Sequence, residues 1–263
     1  MLGLAPGLTI IDLTHDLPPH DVRAGALTLV RAAQYLPDGC VVLAVVDPGV
    51  GTDRRLLAVA CERATFVGPD NGLLAPAVAL LGGAGTVVSL TRQDQHLPAP
   101  GPTFAGRDIL APATAHLALD GPLTDLGDPV DPASLLPGLV GLPTPLEGGA
   151  LQAEVWWVDR FGNCQLNVDP DALAMLGART GDRVEVRTTD GIRAARWVRT
   201  YADAKSSELV LLVDSYGLLS LALDRDSAAS ALGLQAGSAV TLAVDPGARR
   251  VDLPVRAFHG DAP

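Results

Sequence analysis

At 263 residues the chain is long enough for one large or two ordinary domains. A composition 48% hydrophobic and 19% charged is that of a folded globular protein and excludes a disordered one. The formal net charge of -11 argues against a nucleic-acid backbone as partner and suits a cationic small molecule.

Cys40, Cys61 and Cys164 are odd in number and form no CxxC, so neither a disulfide framework nor a zinc site is indicated. The first residues carry no basic n-region and no signal-peptide cleavage pattern. The uncharged run 73–91 nears membrane-span length, but Pro76 and Gly82-Gly83-Ala84-Gly85 break it into helix, turn and strand. The expectation is a soluble cytoplasmic protein with no membrane and no nucleic-acid partner.

In chain order, apolar strand-like runs at 9–13, 41–46, 56–59, 65–67 and 86–90 alternate with helix-like stretches at 21–35, 73–81 and 109–119. Within 21–35 the residues Val22, Ala26, Leu29, Val30 and Ala33 recur at helical spacing. The alternation predicts an α/β layered domain, Rossmann-like, over 1–129. Residues 130–149 are rich in proline and glycine and read as a linker.

From 150 to 263 the pattern becomes β-rich. Residues 182–188 alternate, Asp190-Gly191 offers a two-residue hairpin turn, and 192–200 follows. Further strands are expected at 208–213 and 238–244, with short helices at 171–176 and 227–232. This half reads as a smaller β-barrel-like domain.

The most informative stretch is Val45-Val46-Asp47-Pro48-Gly49-Val50-Gly51-Thr52-Asp53-Arg54-Arg55. An apolar strand delivers a carboxylate to a sheet edge, and a glycine-rich loop follows. Strand ends in open α/β sheets are where ligands bind, and glycine lets backbone approach them. Four other motifs stand out: Gly68-Pro69-Asp70-Asn71-Gly72, Thr103-Phe104-Ala105-Gly106-Arg107-Asp108, Asp159-Arg160-Phe161-Gly162-Asn163 and Asp214-Ser215-Tyr216-Gly217. Each one alone is also ordinary turn chemistry.

Taken together and in order, these motifs resemble the S-adenosyl-L-methionine (SAM) hydroxide adenosyltransferase family, the SAM hydrolases, related to the fluorinase and chlorinase enzymes. The resemblance runs from Ile11-Asp12-Leu13-Thr14-His15 to Ala229. It implies an α/β domain followed by a barrel-like domain, in a homotrimer whose active sites lie between subunits. It also implies attack of water or hydroxide on C5′ of the SAM ribose, giving adenosine and methionine with no cofactor and no metal. By this resemblance Asp47 would activate or orient the water and Arg54 would hold it or the carboxylate. Asp159 would meet the methionine ammonium, Phe161 would pack on adenine, and Asn163 would hydrogen-bond it. Ser215 would bind the methionine carboxylate with Tyr216 beside it, while Phe104 and Gly106 would line the substrate. Asp70 and Asn71 are expected to shape a turn, and Arg107 and Asp108 to form a buried pair.

The chain departs from the family pattern twice. The family histidine of Thr-Phe-His-Gly-Arg-Asp is replaced by Ala105, with His20 the candidate substitute and a surface histidine at a helix start its plainer reading. The family's opening strand, whose Asp grips the ribose, is not matched before Met1, so a start placed too late is expected. An impaired SAM- or adenosine-binding protein is therefore one alternative. A SAM-dependent halogenase is another, disfavoured because the Asp47 carboxylate would repel a halide. A metal-dependent hydrolase built on His15, Asp16, His20 and Asp21 with Asp47 and Asp70 lacks a ligand-spacing motif, and His15 is read as ending the first strand.

Overall fold

The structure, a computed structural model, describes residues 1–138 and 141–244. By its internal contacts the chain divides into two compact units, Met1–Val140 and Gly141–Pro263.

In the first unit the order is α1 (Val22–Ala33), β1 (Cys40–Leu43), β2 (Leu56–Ala60), β3 (Ala64–Pro69), α2 (Ala75–Leu80), β4 (Thr86–Ser89), α3 (Ala111–Ala118) and β5 (Asp128–Val130). The strands form a five-stranded sheet in the order β1-β3-β2-β4-β5. The β1–β3 pair is parallel and the other neighbours are antiparallel. The central strands read as unbroken apolar runs because both faces are covered. Leu57, Val59 and Phe66 pack with Leu29 of α1 and Ala77 of α2, while Leu56, Ala58, Val67 and Val88 pack with Leu110 and with Ala113 of α3.

Helix α1 begins at Asp21, whose carboxylate accepts the Ala24 N–H at 2.8 Å and satisfies a donor the helix leaves open. Gly25 is required by packing: a Cβ there would lie 2.7 Å from Leu73 Cδ1 and 3.0 Å from Val46 Cγ2. Gly68 is required in the same way, since its Cβ would meet the Ala44 carbonyl oxygen at 2.6 Å. These two contacts seat the chain leaving β1 against α1 and β3.

Two expectations are corrected here. Residues 9–13 form no strand: Ile10, Ile11 and Leu13 are exposed, and the run has no ladder partner among the described residues. A strand pattern becomes a strand only beside a neighbour that takes its backbone hydrogen bonds. Consequently His15 ends no strand. The stretch 130–149 read as a linker is not bare connection: it carries a short turn at Pro132–Ser134, it is pinned at Ser134 and Leu136 by Arg55 and Asp70, and Thr144–Leu146 forms a short strand.

The second unit contains β6 (Thr144–Leu146), β7 (Ala150–Val158), β8 (Cys164–Leu166), α4 (Pro170–Met175), β9 (Arg183–Thr188), β10 (Gly191–Trp197), β11 (Leu209–Val213), β12 (Leu219–Leu223), α5 (Ala228–Leu232) and β13 (Ala239–Val244). Its strands run β13-β9-β10-β11-β12-β8-β7-β6, and a β13–β7 pairing closes seven of them into a barrel with β6 outside. Alternating residues fill the interior, among them Val155, Val184, Val186, Ala195, Leu211, Leu219, Leu221 and Leu242. The β9–β10 hairpin forms, but its two turn residues are Thr189 and Asp190, one position earlier than expected, because Gly191, at φ +133, already pairs with Thr188 as the first residue of β10. Strands β10 and β11 are parallel, so the chain must cross over between them, and Tyr201–Asp203 forms a tight turn in that crossover. Of the region expected to be β-rich, 245–263 lies outside the described residues.

Candidate active site

Beyond β1 the ladder continues for one more bond, Ala44 N–H to the Val67 carbonyl at 2.9 Å. Asn71 then donates its side-chain amide to the Val46 carbonyl at 2.9 Å, which fixes the backbone one residue before Asp47. The loop folds back on itself through Gly51 at φ +83. Arg54 thereby reaches Asp47, donating through Nε to Oδ1 at 2.5 Å and through Nη2 to Oδ2. The two side chains are only 12% and 6% exposed, for Arg54 and Asp47 respectively. Gly49 permits this, because a Cβ there would stand 3.1 Å from Arg54 Cδ.

A bidentate guanidinium occupies one lone-pair site on each oxygen and leaves the others able to accept from water. Asp47 is therefore a fixed acceptor with a fixed direction at the end of the parallel strand pair.

Two neighbouring motifs frame this loop. Asp70 is buried, accepts from Arg55 Nε at 2.8 Å, and accepts the Leu136 N–H at 3.0 Å. Asp70 and Asn71 thus shape the turn, as expected. In the Phe104–Asp108 motif, a Cβ on Gly106 would be 3.4 Å from Val45 Cγ1, which puts this segment beside the approach to Asp47. Arg107 pairs with Asp108 at 2.6 and 3.0 Å and lies 4.6 Å over the exposed Phe104 ring. Its hydrogen bonds hold the Asp108 carboxyl below the usual carboxylate range. The pair is buried only on the aspartate side, with Arg107 half-exposed, which corrects the reading of a wholly buried pair. Ala105 is buried in the apolar cluster of Leu56, Ala58, Val67 and Leu110.

In the barrel unit Asp159, Phe161 and Asn163 line a cavity of about 760 Å³. Asp159 Oδ1 accepts the backbone N–H groups of Phe161 and Asn163 at 2.8 and 2.9 Å, and Oδ2 accepts the Asn163 amide at 2.8 Å. Gly162, at φ +82, lets this turn lie on Ser227 at the start of α5. Tyr201 and the segment Asp224-Arg225-Asp226-Ser227 complete the wall, and sequence reasoning missed them. Burial, then the nearby Asp159 and Asp214 carboxylates, push the Tyr201 phenol up. Three carboxylates against Arg225 make the cavity acidic.

Ser215 and Tyr216 lie in the β11–β12 turn, which Asp214 organises by accepting the Tyr216 and Leu218 N–H groups at 2.8 and 3.2 Å. They are exposed and are not part of the cavity wall.

The order of these motifs along two units can now be set against known proteins. The model of the SAM hydroxide adenosyltransferase N-terminal domain matches residues 1–127, and that of the C-terminal domain matches residues 153–241. The chain belongs to the SAM hydroxide adenosyltransferase family. A relative from Salinispora tropica named (R)-S-adenosyl-L-methionine hydrolase is 44% identical over 237 residues, covering 89% of this chain and 86% of its own. A Thermus thermophilus protein of the same name is 44% identical over 245 residues, covering 90% and 89%. A fluorinase from Actinoplanes is more distant, 29% identical over 272 residues. Among solved structures, a Thermotoga maritima protein matches with a TM-score of 0.82 and 31% identity, covering 92% of this chain and 91% of that one.

Within this member of the family the histidines stand apart from the loop chemistry. His20 is exposed, sits at φ 66 and immediately precedes the α1 cap. His15 bonds Asp12 at 3.1 Å, both exposed. Among the described residues no group of three His, Cys, Asp or Glu could hold a metal ion. Nor, among them, is any helix long and apolar enough to cross a membrane.

Proposed function

We propose that this chain hydrolyses S-adenosyl-L-methionine to adenosine and L-methionine. The water oxygen attacks ribose C5′ in line with the departing sulfur. The C5′–S bond breaks, and methionine leaves with the electron pair as a neutral thioether. A sulfonium leaves without protonation, so the reaction needs no general acid, no metal and no cofactor. The demand falls on aiming the water and receiving its proton. Asp47 does both in this reading, and Arg54 holds its carboxylate in one orientation. The single observation that carries the reading is that buried, bidentate pair at the end of the parallel strands.

The barrel cavity supports the same substrate. Its excess of carboxylate suits a molecule carrying sulfonium and ammonium charges. Phe161 and Tyr201 offer ring faces to adenine, Asn163 its amide to the base edge, and Asp159 its carboxylate to the ammonium. Phe104 and Gly106 flank the reacting sugar in this reading, and Ser215 and Tyr216 receive the methionine carboxylate from their turn. The Asp47–Arg54 pair of one subunit and the cavity of a neighbour would act on one substrate molecule in a homotrimer.

The test is incubation of the purified protein with SAM, followed by chromatography. Adenosine and methionine are expected in equal amounts, with no halogenated nucleoside when chloride or fluoride is added. A 5′-halogenated product, or no adenosine at all, would overturn the reading. Ala105, enclosed by apolar side chains, favours a second reading in which the protein binds SAM without turnover. Saturable SAM binding by calorimetry with no adenosine released would select it.

A further inference from the structure

A second cleft, about 250 Å³, lies on the barrel unit and is lined by Arg183, Arg193 and Arg196 together with Ser207, Glu208 and Leu232. Its charge runs against that of the chain as a whole, which carries 30 acidic residues against 19 basic ones. In such a chain an arginine would be expected to find a carboxylate, and Arg196 does. It donates to both Glu208 oxygens at 2.8 and 2.7 Å and to the Asp203 carbonyl at 2.6 Å. That pairing holds the Glu208 carboxyl down to about 2.

Arg183 and Arg193 are different. Neither side chain has an ion pair or hydrogen bond among the described residues, although both line the same cleft. In the antiparallel β9–β10 register Arg183 stands directly opposite Arg196. Because Arg196 already holds Glu208, Arg183 gains no counter-charge from this pairing position. Ser207 adds a hydroxyl from a residue in the left-handed region, at φ 59.

We propose that this cleft is a binding site for a phosphate-bearing anion, separate from the SAM chemistry. Guanidinium groups match phosphate oxygens in geometry and can each donate two hydrogen bonds. Glu208 cancels Arg196, so Arg183 and Arg193 supply the net positive charge. Arg196, held rigid by Glu208 and the Asp203 carbonyl, and Ser207 shape the floor.

The test is titration of the full chain with inorganic phosphate by calorimetry and thermal unfolding, with ionic strength held constant by sodium chloride. A saturable heat and a saturable rise in the unfolding midpoint are expected. The Arg183→Gln/Arg193→Gln double variant should bind phosphate at least tenfold more weakly while releasing adenosine from SAM at the wild-type rate. Absence of saturation or unchanged affinity in the double variant would each overturn the site. An equal effect from acetate would overturn the phosphate assignment.

Discussion

Replacing Asp47 by asparagine keeps the shape of the side chain and removes its charge. One oxygen becomes an amide donor facing the Arg54 guanidinium, so one of the two charge-assisted bonds is replaced by a donor–donor clash. Arg54 is then left nearly buried without its counter-charge. Removing one partner of a buried pair costs about 3–5 kcal/mol, and the slight exposure of Arg54 places Asp47→Asn near about 3. Catalysis should suffer separately. A positioned acid or base contributes roughly 10²- to 10⁴-fold, or about 2.7–5.4 kcal/mol in the barrier. The assay is kcat/KM for adenosine release, with urea unfolding of the same preparation. A companion variant separates the two effects. Asp47→Asn with Arg54→Leu removes the orphan charge and should recover part of the stability while remaining inactive. If folded Asp47→Asn protein released adenosine within threefold of wild type, the assignment of Asp47 would be wrong.

Gly68→Ala should lower the urea midpoint, because the new methyl meets the Ala44 carbonyl at 2.6 Å; overpacking of this kind costs roughly 1–3 kcal/mol. Asn163→Ala removes the amide that holds Asp159 Oδ2, and a hydrogen bond to a charged group is worth about 1.5–3 kcal/mol. KM for SAM should therefore rise by roughly tenfold or more with a smaller change in kcat, read by steady-state kinetics. Ala105→His places a ring into a packed apolar cluster and should cost about 1–3 kcal/mol of stability in urea unfolding without raising turnover. Glu208 has a folded pKa of about 2, below its ordinary 4.5, so its pairing stabilises the protein fully above 4.5. That contribution should fade as pH falls from 4.5 toward 2, and Arg196→Gln should flatten this limb in unfolding midpoints measured against pH.

What could be read from the chain depended on whether the signal was local. Helix α1 was readable because its cap, Asp21, and its apolar spacing lie in one short stretch. The barrel strands were readable from alternation, and the β9–β10 hairpin from Asp190-Gly191, although its turn falls one residue earlier, at Thr189-Asp190. The Asp47–Arg54 pair came from the family resemblance, and in the structure a single loop closes it. Strand pattern failed at 9–13, where the residue types suit a strand but nothing beside them pairs with it. Strand β6 is three residues long and contains proline, so composition marked it as linker. Tyr201 and Asp224–Ser227 were missed because barrel closure, and no feature of their own segments, brings them to Asp159. Ser215 and Tyr216 show the converse: a motif in sequence that the fold leaves outside the cavity wall.

The central claim is that water, aimed by Asp47, replaces methionine at C5′. It is tested most directly by running the reaction in heavy-oxygen water and weighing both products by mass spectrometry. The account predicts one heavy oxygen in the adenosine, at the 5′ position, and none in the methionine. Unlabelled adenosine, or label in the amino acid, would contradict it.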